Sequence, residues 1–126
     1  MTVEEISPRY FTLQPGGAIG EFVLKREIAA SLAKLPDDPS LYFDLGGPYL
    51  LIELRRLVNA RARDRGIVNA NRHMLTAANG RQEKRKPLTV RPLINELWLV
   101  VDGNSTLLNA RHSNWRALPC TLATHI

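Results

Sequence analysis

The sequence holds one cysteine, no internal repeat and no long apolar run. A single cysteine excludes an internal disulfide and is typical of a reducing compartment. No apolar run approaches the roughly 18 to 20 residues that a membrane-spanning helix needs, so we expect no membrane partner. The first residues are acidic and lack the apolar segment of a signal peptide, so we expect a cytoplasmic protein.

Patterns that define common catalytic sites are also scarce. Gly16, Gly17 and Gly20 have neither dinucleotide-binding spacing nor a Gly-Lys-Ser/Thr ending, which favours a flexible turn over a phosphate-binding loop. His73 has no second metal ligand four residues away, so no metal site is predicted there. Cys120 falls within an apolar segment, where a packed thiol is expected rather than a nucleophile.

Basic residues are concentrated in the C-terminal part of the chain. Residues 1–50 hold four basic and seven acidic side chains, a net charge of −3, whereas residues 51–126 hold 13 basic and five acidic side chains, a net charge of +8. This asymmetry indicates a polyanionic partner, most simply nucleic acid. The alternative is an arginine-rich surface in contact with solvent alone. The densest basic run, residues 80–86, is predicted to be a loop.

Apolar spacing predicts helices in the first two thirds of the chain. Leucines and an isoleucine at helical spacing predict an amphipathic helix over residues 21–35. A second helix is predicted from about residue 48 to 65, with Pro48 at its first position. Arg55 and Arg63 would lie on the face of this helix opposite its leucines, either tracking a phosphate backbone or forming plain surface. A shorter helix is predicted over residues 69–79.

Strands are predicted near the N-terminus and in the last third of the chain. Residues 88–94 and 97–101 form a hairpin-like pair around Asn95-Glu96, and residues 117–122 and 10–13 form further strands. We therefore predict an α/β (or α+β) fold, in which N-terminal helices pack on a small mixed sheet. The length of 126 residues fits a single domain, residues 1–126.

Residues 98–122 hold the pattern on which the functional prediction depends. Four apolar residues run directly into Asp102-Gly103, which is typical of a buried strand that ends in a tight turn. Three polar residues that suit a helix N-terminus follow, namely Asn104, Ser105 and Thr106. Such a turn directs backbone N–H groups at one spot, which favours the binding of an anion.

This ordered set of features resembles the ParB/sulfiredoxin-like superfamily. Members carry a strand, an Asp-Gly loop with further polar residues, a helix with small residues, a Gly-aromatic turn and an Ile/Val-Pro strand. The matching features here are the loop 102–106, Ala110 in the helix, the turn Asn114-Trp115 and the strand start Leu118-Pro119. Residues 86–92 resemble the strand of the family that reads Pro-hydrophobic-x-Val. The resemblance covers residues 86–122, and the preceding helices match only by their order.

Two positions depart from the pattern of the family. Thr106 stands where most relatives place an arginine that holds phosphate, and Asn104 stands where sulfiredoxins place the catalytic cysteine. The second departure excludes the sulfiredoxin reaction. The first removes a charge-assisted contact, so tight triphosphate binding would need an arginine from elsewhere, such as Arg72, Arg91 or Arg111.

The resemblance implies a small DNA-directed protein of the kind found on plasmids and other mobile elements. Its catalytic residue in a metal-assisted nuclease would be Asp102, which could instead hold the turn by accepting N–H bonds. A nucleoside triphosphate with Mg²⁺ would bind at Gly103, Asn104, Ser105 and Thr106. The DNA backbone would be contacted by Arg55, Arg63, Arg81, Lys84, Arg85 and Lys86. No helix-turn-helix is recognisable, so sequence-specific DNA binding is not predicted.

Two alternatives stay open at this point. The first is a nucleotide-using enzyme of the same fold, such as an ATPase or a small-molecule kinase. The second is a degenerate member of the family that keeps the fold and acts as a protein-interaction module. The expected partners are therefore DNA and a nucleotide, and the sequence is compatible with a homo-oligomer.

Overall fold

The computed structural model describes residues 10–13, 19–22, 24–60 and 62–123. The strands in these residues are β1 (Tyr10–Leu13), β2 (Ile19–Phe22), β3 (Leu50–Glu53), β4 (Leu57–Asn59), β5 (Leu88–Pro92), β6 (Trp98–Asp102) and β7 (Ala117–Leu122). The α-helices are α1 (Arg26–Ser31), α2 (Asp64–Ala78) and α3 (Asn104–His112), and short 3₁₀ turns cover Pro39–Leu41 and Leu54–Arg56. This content and the mixed sheet confirm the predicted α/β (α+β) class.

The strands form one mixed sheet in the order β2-β1-β4-β6-β5-β7-β3. Strands β1, β4 and β6 run parallel to one another, whereas β5 is antiparallel to β6. The carboxyl ends of parallel strands meet at the same end of a sheet, which is where ligands bind in open α/β sheets. In this protein that end carries Asn59 of β4 and Asp102 of β6, and we call it the Asp102 end.

The predicted hairpin of the last third is confirmed. Strands β5 and β6 pair antiparallel, and the Leu93 N–H donates to the Leu97 carbonyl at 2.7 Å. Asn95 and Glu96 between them have φ values of 56° and 61°. Two successive residues with positive φ are typical of the tight turn that matches the twist of a hairpin.

The helix predicted over residues 48–65 is wrong. The segment forms β3, the turn Leu54–Arg56 and β4 instead. Its leucines divide accordingly: Leu57 is buried in β4, while Leu50 and Leu51 are exposed on β3 at the edge of the sheet. A short apolar run fits helical and strand periodicity alike. In this segment the pairing of β3 with β7 and of β4 with β6 stabilises strands instead of a helix. Arg55 and Arg63 therefore do not share a helix face.

The other N-terminal helix predictions need correction as well. Residues 19–22, which overlap the helix predicted over 21–35, form β2, and α1 extends only from Arg26 to Ser31. Helix α2 begins at Asp64, five residues before the predicted start at Asn69. Local spacing therefore placed a helix in both regions but misplaced its start.

The main core lies between the sheet and helices α2 and α3. Its fully buried side chains include Leu57, Met74, Val90, Leu107 and Leu118. The loop before β3 contributes aromatic packing, because the Tyr42 ring stacks on Trp115 with centroids 5.0 Å apart. None of the helices within the described ranges is long and apolar enough to cross a membrane.

Helices α2 and α3 are also joined by buried amides. The Asn71 side chain donates from Nδ2 to Asn109 Oδ1 at 2.8 Å, and Asn109 Nδ2 donates to the carbonyls of Ile67 and Ser105 at 3.0 Å each. The Asn71 amide also pairs with both backbone groups of Ala33. These buried polar groups thus have partners, as buried amides require.

Candidate functional site

The Asp-Gly turn joins β6 to α3 at the Asp102 end of the sheet. Gly103 is the N-cap residue of α3 and has φ 103° and ψ 20°. A Cβ atom at Gly103 would lie 2.6 Å from Leu88 Cγ in the neighbouring strand β5. Glycine is therefore required here both by the backbone conformation and by the close approach of the turn to β5.

The polar side chains after Gly103 are largely used inside the fold. Asn104 Oδ1 accepts from the Ala60 N–H at 2.9 Å and from Asn59 Nδ2 at 3.0 Å, while Asn104 Nδ2 donates to the Val100 carbonyl at 3.0 Å. Thr106 is buried. Asn104 thus ties the start of α3 to the ends of β4 and β6, and neither side chain faces a ligand at the surface.

Two helix N-termini meet beside this turn. A Cβ at Gly66, in the first turn of α2, would lie 3.1 Å from Ser105 Oγ, in the first turn of α3. No side chain caps either helix, because Gly103 offers none and the N-cap residue Arg63 makes no capping bond. Uncapped N-termini carry partial positive charge. A phosphate at this loop would thus meet backbone N–H groups and Ser105, and would not meet the side chains of Asn104 or Thr106.

None of the three alternative arginines extends to the Asp-Gly turn. Arg111 is buried and donates to the carbonyl of Leu57, which lies at the other end of β4. Arg91 is paired with Leu99 in the middle of the hairpin. Arg72 lies eight residues after Asp64, and its backbone is therefore about 12 Å along α2 from the N-terminus that lies beside the turn. The side chains predicted for a nucleoside triphosphate therefore do not assemble around this turn.

Asp102 instead lines a groove next to the turn. A cavity of about 320 Å³ is lined by Asp44, Gly47, Pro48, Lys86, Pro87, Thr89, Asp102 and Thr121. A second cavity of about 540 Å³ is lined by Ser40, Phe43, Asp44, Leu45, Glu83, Lys84 and Lys86. Asp44 and Lys86 line both cavities, so the two adjoin, and we call them together the Asp102 groove.

The groove is built where two distant loops run side by side. The Asp44 N–H donates to the Arg85 carbonyl at 2.7 Å, and the Arg85 N–H donates to the Tyr42 carbonyl at 2.8 Å. These bonds form a short parallel bridge between Phe43 and Arg85. The basic loop is thereby fixed beside Asp44, and Lys84 Nζ donates to the Ser40 carbonyl at 2.6 Å.

Arg85 lies close enough to Asp102 to interact with its charge. Burial lowers the pKa of the half-buried Arg85 guanidinium, and the negative charge of Asp102 acts in the opposite direction. A guanidinium stays protonated at neutral pH in spite of such a shift. Arg85 is therefore a fixed positive charge behind the groove, while the exposed Lys84 and Lys86 are its accessible ammonium groups.

The structure brings only part of the predicted basic set together. Lys84 and Lys86 line the groove, and Arg85 lies beside it. Arg55 lies two residues before Leu57, and Leu57 pairs with Trp98 of β6. Trp98 and Asp102 are at opposite ends of β6, about 13 Å apart, so Arg55 is remote from the groove.

The other two basic residues flank α2. Arg63 precedes this helix and Arg81 follows it, so its 15 residues separate them by about 22 Å. Arg63 lies near the Asp102 end and Arg81 near the far end of α2. The six residues therefore do not form one surface.

Asp44 is the residue of this site that the sequence did not reveal. It precedes Gly46-Gly47-Pro48, which the sequence suggested as the start of a helix, and its partners lie some 40 residues later in the chain. An acid before a Gly-Gly-Pro turn is a weak signal of a site. Within the described residues, no group of three or more His, Cys, Asp or Glu side chains is arranged to hold a metal ion.

No family model matches this chain, and no curated protein or solved structure matches it either. The ParB/sulfiredoxin-like resemblance therefore stays a prediction from the residues quoted above.

Proposed function

We propose that this protein binds nucleic acid, with DNA as the expected partner, through the Asp102 groove. The observation that supports this most is the groove lining, in which Lys84 and Lys86 of the densest basic run lie in one depression with Asp102. Ammonium groups around a concave surface attract phosphates and release the counterions that surround them. Arg85 adds a further positive charge behind this surface.

Part of the groove lining suits contact with the sugar-phosphate backbone, while Asp44, Glu83 and Asp102 add carboxylates to the same lining. Its hydroxyl groups on Thr89 and Thr121 and the ammonium groups of the two lysines are donors suited to phosphate oxygens. The neighbouring N-terminus of α3, whose first turn holds no acid, adds positive potential at the same end of the sheet. Contacts with the backbone carry no sequence information, so we expect binding with little sequence preference.

The test is the salt dependence of binding to a labelled DNA duplex. The double variant Lys84→Gln/Lys86→Gln should bind more weakly, and its slope of log affinity against log salt should be shallower by about 1.8, the value for two lost phosphate contacts. The matched control is Arg26→Gln/Arg116→Gln, which removes two exposed charges on α1 and before β7, outside the groove.

An unchanged slope in the groove variant, or an equal loss in the control, would refute the groove as the binding surface. Absence of duplex binding by the unmodified protein at low salt would refute the proposal itself. It would favour the nucleotide-using and protein-interaction alternatives.

A second candidate function, metal-assisted phosphodiester cleavage, is favoured by the acidic lining of the same groove. Asp44 and Asp102 come from distant segments and line one cavity together with Lys86. Carboxylates that converge on a phosphate-binding surface suit a divalent cation, which would polarise a phosphoryl oxygen when bound. Asp44 and Asp102 would hold this cation, and Lys86 would orient the phosphate next to it.

Cleavage can be tested separately from binding, with supercoiled plasmid incubated with and without Mg²⁺. Nicking that needs Mg²⁺ should be lost in Asp102→Asn and in Asp44→Asn. It should persist in Asp37→Asn, a matched amide substitution outside the groove that retains an acceptor for the Arg116 N–H. Nicking that survives Asp102→Asn would refute the assignment. Binding without nicking would remove the nuclease function and leave the first proposal intact.

A further inference from the structure

Strand β3 forms one edge of the sheet and is unusually apolar for an edge. It pairs with β7 on one side, and no strand within the described ranges pairs with its other side. Tyr49, Leu50 and Leu51 are 38%, 52% and 61% exposed. Edge strands are usually protected by lysine, proline or a bulge, because an unpaired edge can accept another strand. Residues 49–52 contain none of these features.

The pattern of hydrogen bonds shows which backbone groups of β3 face outward. The Leu54 N–H donates to the Arg116 carbonyl at 3.1 Å, so this pair, next in the register after Glu53 and Ala117, is hydrogen-bonded. Hydrogen-bonded pairs alternate along an antiparallel ladder. Leu50 and Ile52 therefore bond to β7, and the N–H and C=O groups of Leu51 and Glu53 point away from the sheet.

Pro119 supports this assignment. It is the partner of Leu51 in the register. Proline has no N–H and cannot complete a hydrogen-bonded pair. The pair of Leu51 and Pro119 must therefore be a non-hydrogen-bonded one, which leaves the backbone groups of Leu51 unsatisfied at an exposed edge.

We propose that β3 pairs antiparallel with β3 of a second copy of this chain, so that two sheets join into one across a two-fold axis. In an isologous contact each residue meets its counterpart symmetrically. The axis then passes through Leu51, which forms a hydrogen-bonded pair with the partner subunit's Leu51. Only odd-numbered residues have outward backbone groups, so the register can shift by two residues at a time and no less.

The side chains of β3 are complementary to themselves in this register. On one face Leu51 meets the partner subunit's Leu51, and on the other Leu50 meets the partner subunit's Ile52. At either end the Tyr49 hydroxyl faces the partner subunit's Glu53, a donor opposite a carboxylate acceptor. A shift by two residues towards the C-terminus would place Leu51 against the partner subunit's Glu53. The proposed register therefore pairs apolar residues with apolar residues and also places Glu53 opposite the Tyr49 hydroxyl, a match that a shift by two residues in either direction loses.

The charge on β3 does not oppose a second copy as the occupant. Each paired segment carries one acid, Glu53, at one end of the strand. Antiparallel pairing places the two copies of this acid at opposite ends, four residues or about 13 Å apart. This distance exceeds the Debye length of about 8 Å at physiological ionic strength, so the two carboxylates repel each other only weakly.

The first test measures the mass of the full chain by sedimentation equilibrium over a range of concentrations. We expect a reversible dimer that is lost in Leu51→Lys, which places two like charges on the two-fold axis. The matched control, Ile94→Lys, changes another exposed apolar residue, at the turn between β5 and β6, and this variant should remain dimeric. A protein that is monomeric at high micromolar concentration, or a dimer that survives Leu51→Lys, overturns the proposal.

The second test addresses the register. Oxidised Leu51→Cys should form a covalent dimer, since paired Cα atoms lie about 5.5 Å apart, within disulfide reach. Glu53→Cys should not, because its counterpart lies at the other end of the pairing. The native Cys120 is buried and does not interfere. Cross-linking through position 53 and not through position 51 overturns the register. Loss of DNA binding with the dimer intact would refute only the proposed function.

Discussion

Substitution of Gly103 by alanine tests how the Asp-Gly turn is held against β5. The added Cβ would lie 2.6 Å from Leu88 Cγ and 3.3 Å from Leu88 Cδ2, and the residue would keep φ 103°. Gly80 is a matched control, because it also has a positive φ, 73°, but has no atom within 4 Å of an added Cβ. Gly80→Ala therefore measures backbone strain alone, while Gly103→Ala adds a steric conflict.

The two changes should differ clearly in free energy of unfolding. Left-handed backbone costs a non-glycine residue about 1–2 kcal/mol, which is the expected loss for Gly80→Ala. At Gly103 the backbone lies further from the left-handed region that alanine tolerates, at a cost of about 1–3 kcal/mol. Overpacking against a buried leucine adds about 1–3 kcal/mol. We expect Gly103→Ala to destabilise the protein by about 2–6 kcal/mol in total.

Urea denaturation with comparison of m-values measures both changes. A double-mutant cycle measures the steric part, because Leu88→Ala removes Cγ, the atom nearest to the new Cβ, together with Cδ2. The double variant Gly103→Ala/Leu88→Ala should be more stable than the sum of the two single losses predicts, by about 1–2 kcal/mol. Equal losses for Gly103→Ala and Gly80→Ala, or strict additivity in the cycle, would refute the steric argument.

Three further predictions concern single side chains. Glu96→Gly should raise the melting temperature, with a gain of about 0.5–1 kcal/mol, because it removes left-handed strain at φ 61° and creates the Asn-Gly turn that hairpins prefer; a lower melting temperature would contradict this. Burial and the nearby Lys34 lower the pKa of His112 below 6.5, so the folded protein should lose stability as the pH falls through that value. The loss of stability between about pH 7.5 and about pH 5.5 should be smaller in His112→Gln. An unchanged loss of stability in this variant would exclude His112 as the cause. Burial raises the pKa of the Cys120 thiol to about 12, so a thiol reagent at neutral pH should modify Cys120 only as fast as the protein unfolds.

Local signals in the sequence were sufficient for the C-terminal part of the fold. The hairpin of β5 and β6 depends on a two-residue turn and on adjacent apolar runs, and the Asp-Gly turn follows directly from a buried strand. Residues 48–65 were predicted wrongly because their apolar spacing fits two structures. The partner of β3 that decides between them, β7, starts at residue 117. Pairing at such distance cannot be predicted from the segment itself.

The candidate site was also predictable only where its residues carry local signals. Asp102 and the basic loop each carry a local signal in the sequence, and only their separation by β5 and the hairpin turn had to be bridged by the fold. Which polar residues of the turn face inward depends on the contacts of α3, so the use of Asn104 inside the fold could not be foreseen. The contribution of Asp44 depends on a backbone bridge to Arg85 that only the assembled chain shows.

The buried amides of Asn71 and Asn109 determine how α2 and α3 can be aligned. Two helices in purely apolar contact can slide by one turn, 5.4 Å, and find new contacts of similar quality. Here a slide would separate the amides and leave buried donors and acceptors without partners, at about 1–3 kcal/mol for each group. These hydrogen bonds therefore form in only one alignment of the two helices along their axes. Leucine at both positions would preserve apolar packing, but it would remove the feature that selects a single alignment of the two N-termini.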